Sequence, residues 1–360
     1  MKTDLDLYTD YLLSSLGQTS ATGLSRLLNN SISHDDVTDF LNQTEHTPKA
    51  LWKQVKPFIR QIESDDGVLI VDDSISEKPY TDPNGLVCPH YDHSKDRFVN
   101  GINFVTLLYR AKGVQFPIGF TLVIKSLQCL LKDKKEVWRS EKTKNEMLRD
   151  LVKHAYQNSV KFTYLLCDSW YVNAENINFI RSLRKQLIGA VKSNLEVALS
   201  AQDRAHGKFV KISDIDLKIG VPQSVYLRSV KEPVLVCKDI FINENGAEGE
   251  LFLLSTNVTN YFQQIVTTYQ ERWGVEDYHK SLKNNASLSK SLTRTLQTQQ
   301  THFFASLCAY IKLERLKIQE KLNHFALKSK LYLKAIQASF AELQALKTNL
   351  SKNEKQILSA

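Results

Sequence analysis

Two short apolar runs, each closing on an aspartate, constrain this 360-residue chain more than any other feature: GVLIVDDS from Gly67 and FTYLLCDSW from Phe162. Aliphatic and β-branched residues bounded by polar turns are the mark of buried strands. Between them lie GINFVTLLYRAKG and VQFPIGFTLVI, separated by Lys112-Gly113, and then a long charged stretch, Asp133 to Asn158. Within that stretch Leu148, Leu151, Val152 and Ala155 recur at helical spacing. ENINFIRSLRKQ reads as a helix and LIGAVKS as a fifth strand. The order strand, strand, strand, helix, strand, helix, strand predicts an α/β chain with a mixed sheet. If the first and fourth strands are neighbours in that sheet, Asp72, with Asp73 beside it, and Asp168 come together at their ends.

The flanks differ in character. Up to about residue 60 the chain reads as short helices, and Ser33 with Asp36 resembles a capping box. A helix-turn-helix around Asn29 to Ser33 would put Asp35, Asp36 and Asp39 into a DNA groove, where they would repel phosphates. A small helical domain is therefore the expectation, with DNA contact open. Residues 195–258 are β-rich: KFVKISDIDL, QSVYLRSV, EPVLVCKDIFI and GELFLLSTNV are short strand-like runs with turn signals such as NENGAEGE between them. Helical character resumes at Tyr261 and continues almost to the end.

No run of about 18 apolar residues is present, and the first residues do not read as a secretory leader. Five cysteines stand singly without a CxxC pair, as in a reducing compartment. These features predict a cytoplasmic protein. The net charge of +8 is concentrated: from Ser281 onward there are 13 Lys/Arg against 4 Asp/Glu, whereas the preceding residues carry 34 against 35. A basic last fifth on a neutral body suits a polyanionic partner, although a solvated helical face would also carry such charge.

Acids at strand ends are common turn residues, and neither aspartate alone implies chemistry. Together with Glu276, however, Asp72 and Asp168 would form a carboxylate cluster that repels itself unless a cation sits within it. Hard oxygen ligands suit Mg²⁺ or Mn²⁺, and two such ions support phosphoryl transfer. On a continuous helix Tyr269, Arg272, Glu276 and Lys283 fall within roughly 60° of arc. That stripe is either a surface for metal and phosphate or a solvated face with an Arg272–Glu276 pair.

The spacing Y-(2)-R-(3)-E-(6)-K, met without a gap by Tyr269, Arg272, Glu276 and Lys283, resembles the signature of bacterial insertion-sequence transposases of the DDE class. More narrowly, it is similar to the group whose type member is insertion sequence four. IVDDS looks like that group's first-acid segment and LLCDSWYVNAENINFI like its second, so the resemblance covers roughly residues 67–317. It implies an RNase H-like mixed five-stranded sheet interrupted by a β-rich insertion, with helical N- and C-terminal regions. The implied division is 1–62 helical, with possible DNA binding; 63–194 catalytic core, first part; 195–258 insertion; 259–317 catalytic core, second part; and 318–360 basic and helical.

The resemblance further implies that Asp72, Asp168 and Glu276 hold a pair of Mg²⁺ or Mn²⁺ ions, while Tyr269, Arg272 and Lys283 contact phosphates of the transposon end. Asp72 is favoured over Asp73 by the acid-x-Ser pattern, with both kept open. The implied chemistry is hydrolysis at transposon ends followed by strand transfer into target DNA, by a homodimer assembled on DNA and associated with the nucleoid. No tryptophan lies in the insertion, which speaks against a DNA-hairpin route that holds a flipped base there. Alternatives are a catalytically silent DNA-binding relative and a nuclease that cuts without joining.

Two other features have plainer readings. In CPHYDH, Cys88, His90 and His93 could bind zinc but lack an evident fourth ligand; a loop in which His90, His93, Lys95 and Arg97 touch DNA is the preferred reading. THFFASLCAYIKLERLK reads as a packed helix, and the lysines from Lys312 to Lys334 as candidates for backbone contact.

Overall fold

The computed structural model describes residues 2–358 except 44–45, 93–94, 131–135, 243–245 and 247. Helices α1 (Leu5–Ser14), α2 (Ala21–Leu27), α3 (His34–Leu41) and α4 (Pro48–Ile62) come first. Strands β1 (Val68–Glu77), β2 (Val87–Asp92), β3 (Arg97–Ala111), β4 (Val114–Leu122), β5 (Lys125–Leu130) and β6 (Glu136–Ser140) follow. Then come α5 (Lys144–Gln157), β7 (Tyr164–Cys167), α6 (Ala174–Ser182), β8 (Gln186–Val191), β9 (Glu196–Val197), α7 (Ala201–Ala205) and β10 (Val210–Lys211). Strands β11 (Gln223–Val225), β12 (Val234–Ile242) and β13 (Glu248–Ser255) lead to α8 (Phe262–Gln270), α9 (Gly274–Asn284), α10 (Leu296–Glu320) and α11 (His324–Leu358). No helix among the described residues is long and apolar enough to cross a membrane.

The chain divides into two compact units. One comprises Met1–Asn42, Lys280–Thr293 and Thr301–Ala360; the other comprises Gln43–His279 and Arg294–Gln300.

The second unit is organised by its sheet. Strand β1 lies antiparallel to β3 and parallel to β7; β7 is parallel to β8, and β3 antiparallel to β4. The order β4-β3-β1-β7-β8 is that of the RNase H-like mixed sheet expected from the sequence, with the first and fourth strands of the set side by side. The β1 run Val68–Val71 is buried without alternation, because a central strand is covered on both faces. Helix α5 packs on β3 and β4, α6 on β8, and α8 on β8 and β13.

Pairing extends the sheet beyond what the strand patterns predict. Strand β13 joins the outer edge of β8, with Leu254 opposite Gly189, and carries β12 and β11 with it, so the insertion continues the core sheet. An otherwise bare edge is thereby satisfied. Residues 87–92, within a stretch that reads as a polar loop, form β2; its Pro89 is tolerated because β2 lies at the end of the sheet.

In the first unit, Asp4 caps α1 by accepting from the Leu7 N–H at 2.8 Å, and the Ser33–Asp36 capping box is formed. Tyr8, Leu12, Phe303 and Phe304 are buried, and Tyr8 Oη lies 3.0 Å from His302 Nδ1. Ser281 Oγ is 2.8 Å from His324 Nδ1, and His324 Nε2 is 2.9 Å from Glu314 Oε2, which ties the first turn of α11 to α10.

Candidate active site

Strand pairing brings the two aspartates together. The β1–β7 register ends at Ile70 opposite Leu166, and Asp72 and Asp168 each lie two residues beyond that pair. Asp168 therefore follows the last residue of β7, whereas Asp72, expected to end its strand, lies within β1, which stays paired with β3 as far as Glu77 and only leaves β7 after Ile70. Asp168 Oδ1 accepts the Trp170 N–H at 3.0 Å, which turns the chain sharply after β7. The Asp73 N–H donates to Asp72 Oδ1 at 2.9 Å.

Asp72 and Asp73 have different surroundings. Alternation along β1 turns neighbouring side chains to opposite faces. Both Asp73 oxygens are engaged: Tyr171 Oη donates to Oδ1 at 3.0 Å, and Lys144 Nζ lies 2.5 Å from Oδ2. Asp72 pairs, among the described residues, with Arg272, whose Nη1 is 3.5 Å away. Burial, then the charges of Asp168 and Asp73, push the Asp72 carboxyl up to about 7 against the pull of Arg272. Burial also raises Asp168.

The glutamate-bearing segment is not one continuous α-helix. A 3₁₀ turn, Glu271–Trp273, joins α8 to α9. The cross-strand partners Arg110 and Gln115 hold this turn against the sheet: Arg110 Nε pairs with Glu271, and Gln115 Nε2 donates to the Gly274 carbonyl at 2.9 Å. The Arg272 guanidinium lies over the Tyr269 ring at 5.6 Å and reaches Glu276 Oε1 at 3.7 Å. Its Nε–H is buried without an acceptor.

The stripe expected from helical spacing is thus unevenly exposed. Tyr269 is 4% exposed, whereas the Glu276 side chain is 71% exposed, because the tyrosine lies under the arginine. Lys283 lies on the part of α9 that belongs to the other unit.

Among the described residues no three His, Cys, Asp or Glu side chains converge closely enough to hold a metal ion as they stand. Arg272 instead sits between Asp72 and Glu276 as the local positive charge. The donor set nevertheless fits a hard divalent cation: its atoms are carboxylate oxygens, and burial, then the charges of Asp168 and Asp73, raise Asp72 despite Arg272, a cost that a bound cation would offset.

Other expectations resolve differently. Cys88 Sγ and His90 Nε2 are 3.2 Å apart and both residues are buried on β2, while His93 lies outside the described residues. Several lysines expected to meet DNA have partners within the first unit. Lys312 pairs with Asp6 and Asp10, Lys317 with Glu314, and Lys328 donates to the Ser15 carbonyl at 2.8 Å. Spacing missed Tyr171, Lys144, Arg110 and Gln115, the residues that fix Asp73 and the glutamate segment. The only local signal was Tyr171 in the DSWY turn.

No curated protein matches the chain. Among solved structures, one similar chain is the crystal structure of Endonuclease V from Bacillus subtilis: 9% identity, 78% of this chain and 97% of that one covered, and a TM-score of 0.24, too slight a likeness to carry an argument. The family models are more informative. One described as "DDE superfamily endonuclease" matches residues 1–208, and one described as "Transposase DDE domain" matches residues 140–312. The first spans more than half of the chain and includes Asp72, the second includes Glu276, and the two overlap where Asp168 lies; the chain therefore belongs to the DDE superfamily of endonucleases and transposases.

Proposed function

We propose that this transposase acts for a bacterial insertion sequence of the insertion-sequence-four group, cutting the phosphodiester at its ends and joining the freed 3′-hydroxyl to target DNA. DDE enzymes act on DNA and depend on divalent metal. The observation that carries the reading is the placement of Asp72 and Asp168 two residues beyond the last pair of the adjacent strands β1 and β7, with Arg272 reaching both Asp72 and Glu276.

In this reading Asp72, Asp168 and Glu276 hold a pair of Mg²⁺ or Mn²⁺ ions. Bound there, the ions supply Lewis-acid stabilisation of the attacking and leaving oxygens. Asp73 is a positioning residue, since Tyr171 and Lys144 already occupy its oxygens. Glu276, exposed on the first turn of α9, closes toward the aspartates. Arg272 then turns from Asp72 to a DNA phosphate, where its Nε–H gains an acceptor. Tyr269 backs the guanidinium, and Lys283 adds a second phosphate contact. The proposed division of labour follows the ranges 1–62, 63–194, 195–258, 259–317 and 318–360, with two chains acting on DNA in the cytoplasm.

The test is purified protein with labelled inverted-repeat DNA and Mg²⁺ or Mn²⁺. Cleavage that exposes a 3′-hydroxyl, followed by joining, is expected, and Asp168→Asn and Glu276→Gln abolish both. Cutting without joining would favour the simple nuclease. Full activity in either variant would remove the assignment of the triad.

A further inference from the structure

The 3₁₀ turn that precedes the glutamate is gripped at two points by one pair of side chains. Arg110 and Gln115 face each other across β3 and β4, and Arg110 Nη1 donates to Gln115 Oε1 at 3.2 Å. Arg110 Nε pairs with Glu271 at the start of the turn, and the buried Gln115 donates from Nε2 to the Gly274 carbonyl just after it. Arg272 lies between these two points, and Glu276 stands two residues beyond the second.

Gly274 is what lets the grip close. Its φ of −57° and ψ of −21° suit any residue, so glycine is needed here for space. A Cβ would lie 2.5 Å from Arg110 Nη1 and 2.6 Å from Gln115 Oε1. Strand β3 also refers both ends of the site to one another: Thr106 pairs with Asp72, and Arg110 stands four residues further along the same face, about 14 Å away.

We infer that Arg110 and Gln115 are positioning residues for metal capture, fixing the first turn of α9 relative to β3 so that Glu276 reaches the cation held by Asp72. That role rests on the reading of Glu276 as a metal ligand. The backbone between α8 and α9 is a single 3₁₀ turn, with poorer hydrogen-bond geometry than an α-helix, so the grip sets the direction in which α9 leaves it. An exposed carboxylate closes on an ion with little loss of entropy only if its backbone is already in place.

Gly274→Ala separates positioning from folding. The atoms that the new Cβ meets are the ends of flexible side chains, which can swing aside without disturbing the strands, but swinging aside breaks the grip.

Mn²⁺ binding to the full chain, followed by the electron paramagnetic resonance of the free ion, tests the role. Gly274→Ala and Gln115→Leu should each weaken binding about tenfold or more, as does loss of a group that orients a metal ligand, with the circular dichroism of Gly274→Ala unchanged. Cleavage by Gly274→Ala should recover at higher Mn²⁺. Added to Glu276→Gln, Gly274→Ala should weaken binding no further, because both act through one carboxylate. Wild-type affinity in Gly274→Ala and Gln115→Leu, beside a weakened Glu276→Gln, overturns the inference and leaves the metal assignment standing. Losses that add in the double variant also overturn it, since the grip would then act on the fold at large. Wild-type affinity in Glu276→Gln removes the metal assignment itself, and the inference with it.

Discussion

Replacing Asp72 with asparagine should make the metal-free protein more stable. The Asp72 side chain is 18% exposed, and its carboxyl is raised from 3.8 to about 7, first by burial and then by Asp168 and Asp73. With the folded value above the unfolded one, the native state binds more protons between these pH values, so stability falls as pH rises through that window. Above pH 7 the full penalty is present, with an upper bound of about 4 kcal/mol. Asparagine carries no charge and keeps an oxygen for the Asp73 N–H. If only half of the bound is realised, the melting temperature rises by about 4–8 °C. Differential scanning fluorimetry at pH 8 in EDTA should show that rise, and at pH 5 the gap should narrow. Mg²⁺ or Mn²⁺ should then raise the wild type more than the variant. An Asp72→Asn protein that melts at or below the wild-type temperature at pH 8, with unchanged circular dichroism, would refute the account of a carboxylate raised by burial and by its acidic neighbours.

Three further outcomes follow from the same geometry. Tyr171→Phe removes the hydroxyl donated to Asp73 and should cost about 1–3 kcal/mol, read by urea unfolding; no loss would mean that the bond does not hold Asp73. Gly189→Ala would put a Cβ 2.4 Å from Val172 Cγ2 and 3.1 Å from the Cys167 carbonyl oxygen, one residue before Asp168. It should lower stability by about 1–3 kcal/mol and reduce cleavage, whereas wild-type melting would show that the strands separate freely. Lys283→Ala should reduce the salt slope of end-DNA binding by about one, measured by fluorescence anisotropy, and an unchanged slope removes the phosphate contact.

The sequence by itself carried the order of the five core strands, the acid that follows the fourth of them, the Ser33–Asp36 cap and the Tyr-Arg-Glu-Lys spacing, but it ended the first strand at Asp72 where pairing with β3 continues to Glu77. Each is written in local periodicity or in chemistry tied to a turn, so neighbours along the chain suffice to read it. Tertiary structure decided the rest. Whether β13 stands apart or joins β8 depends on an open edge formed some 60 residues earlier. Asp72 and Asp73 are the same residue type, one position apart, and differ because Tyr171 and Lys144 reach one of them and Arg272 the other. Spacing put Tyr269 and Glu276 on one face, but packing buried the first and exposed the second. Burial and charge pairing are properties of what comes near in space, and a single chain does not state its distant neighbours in the pattern of its near ones.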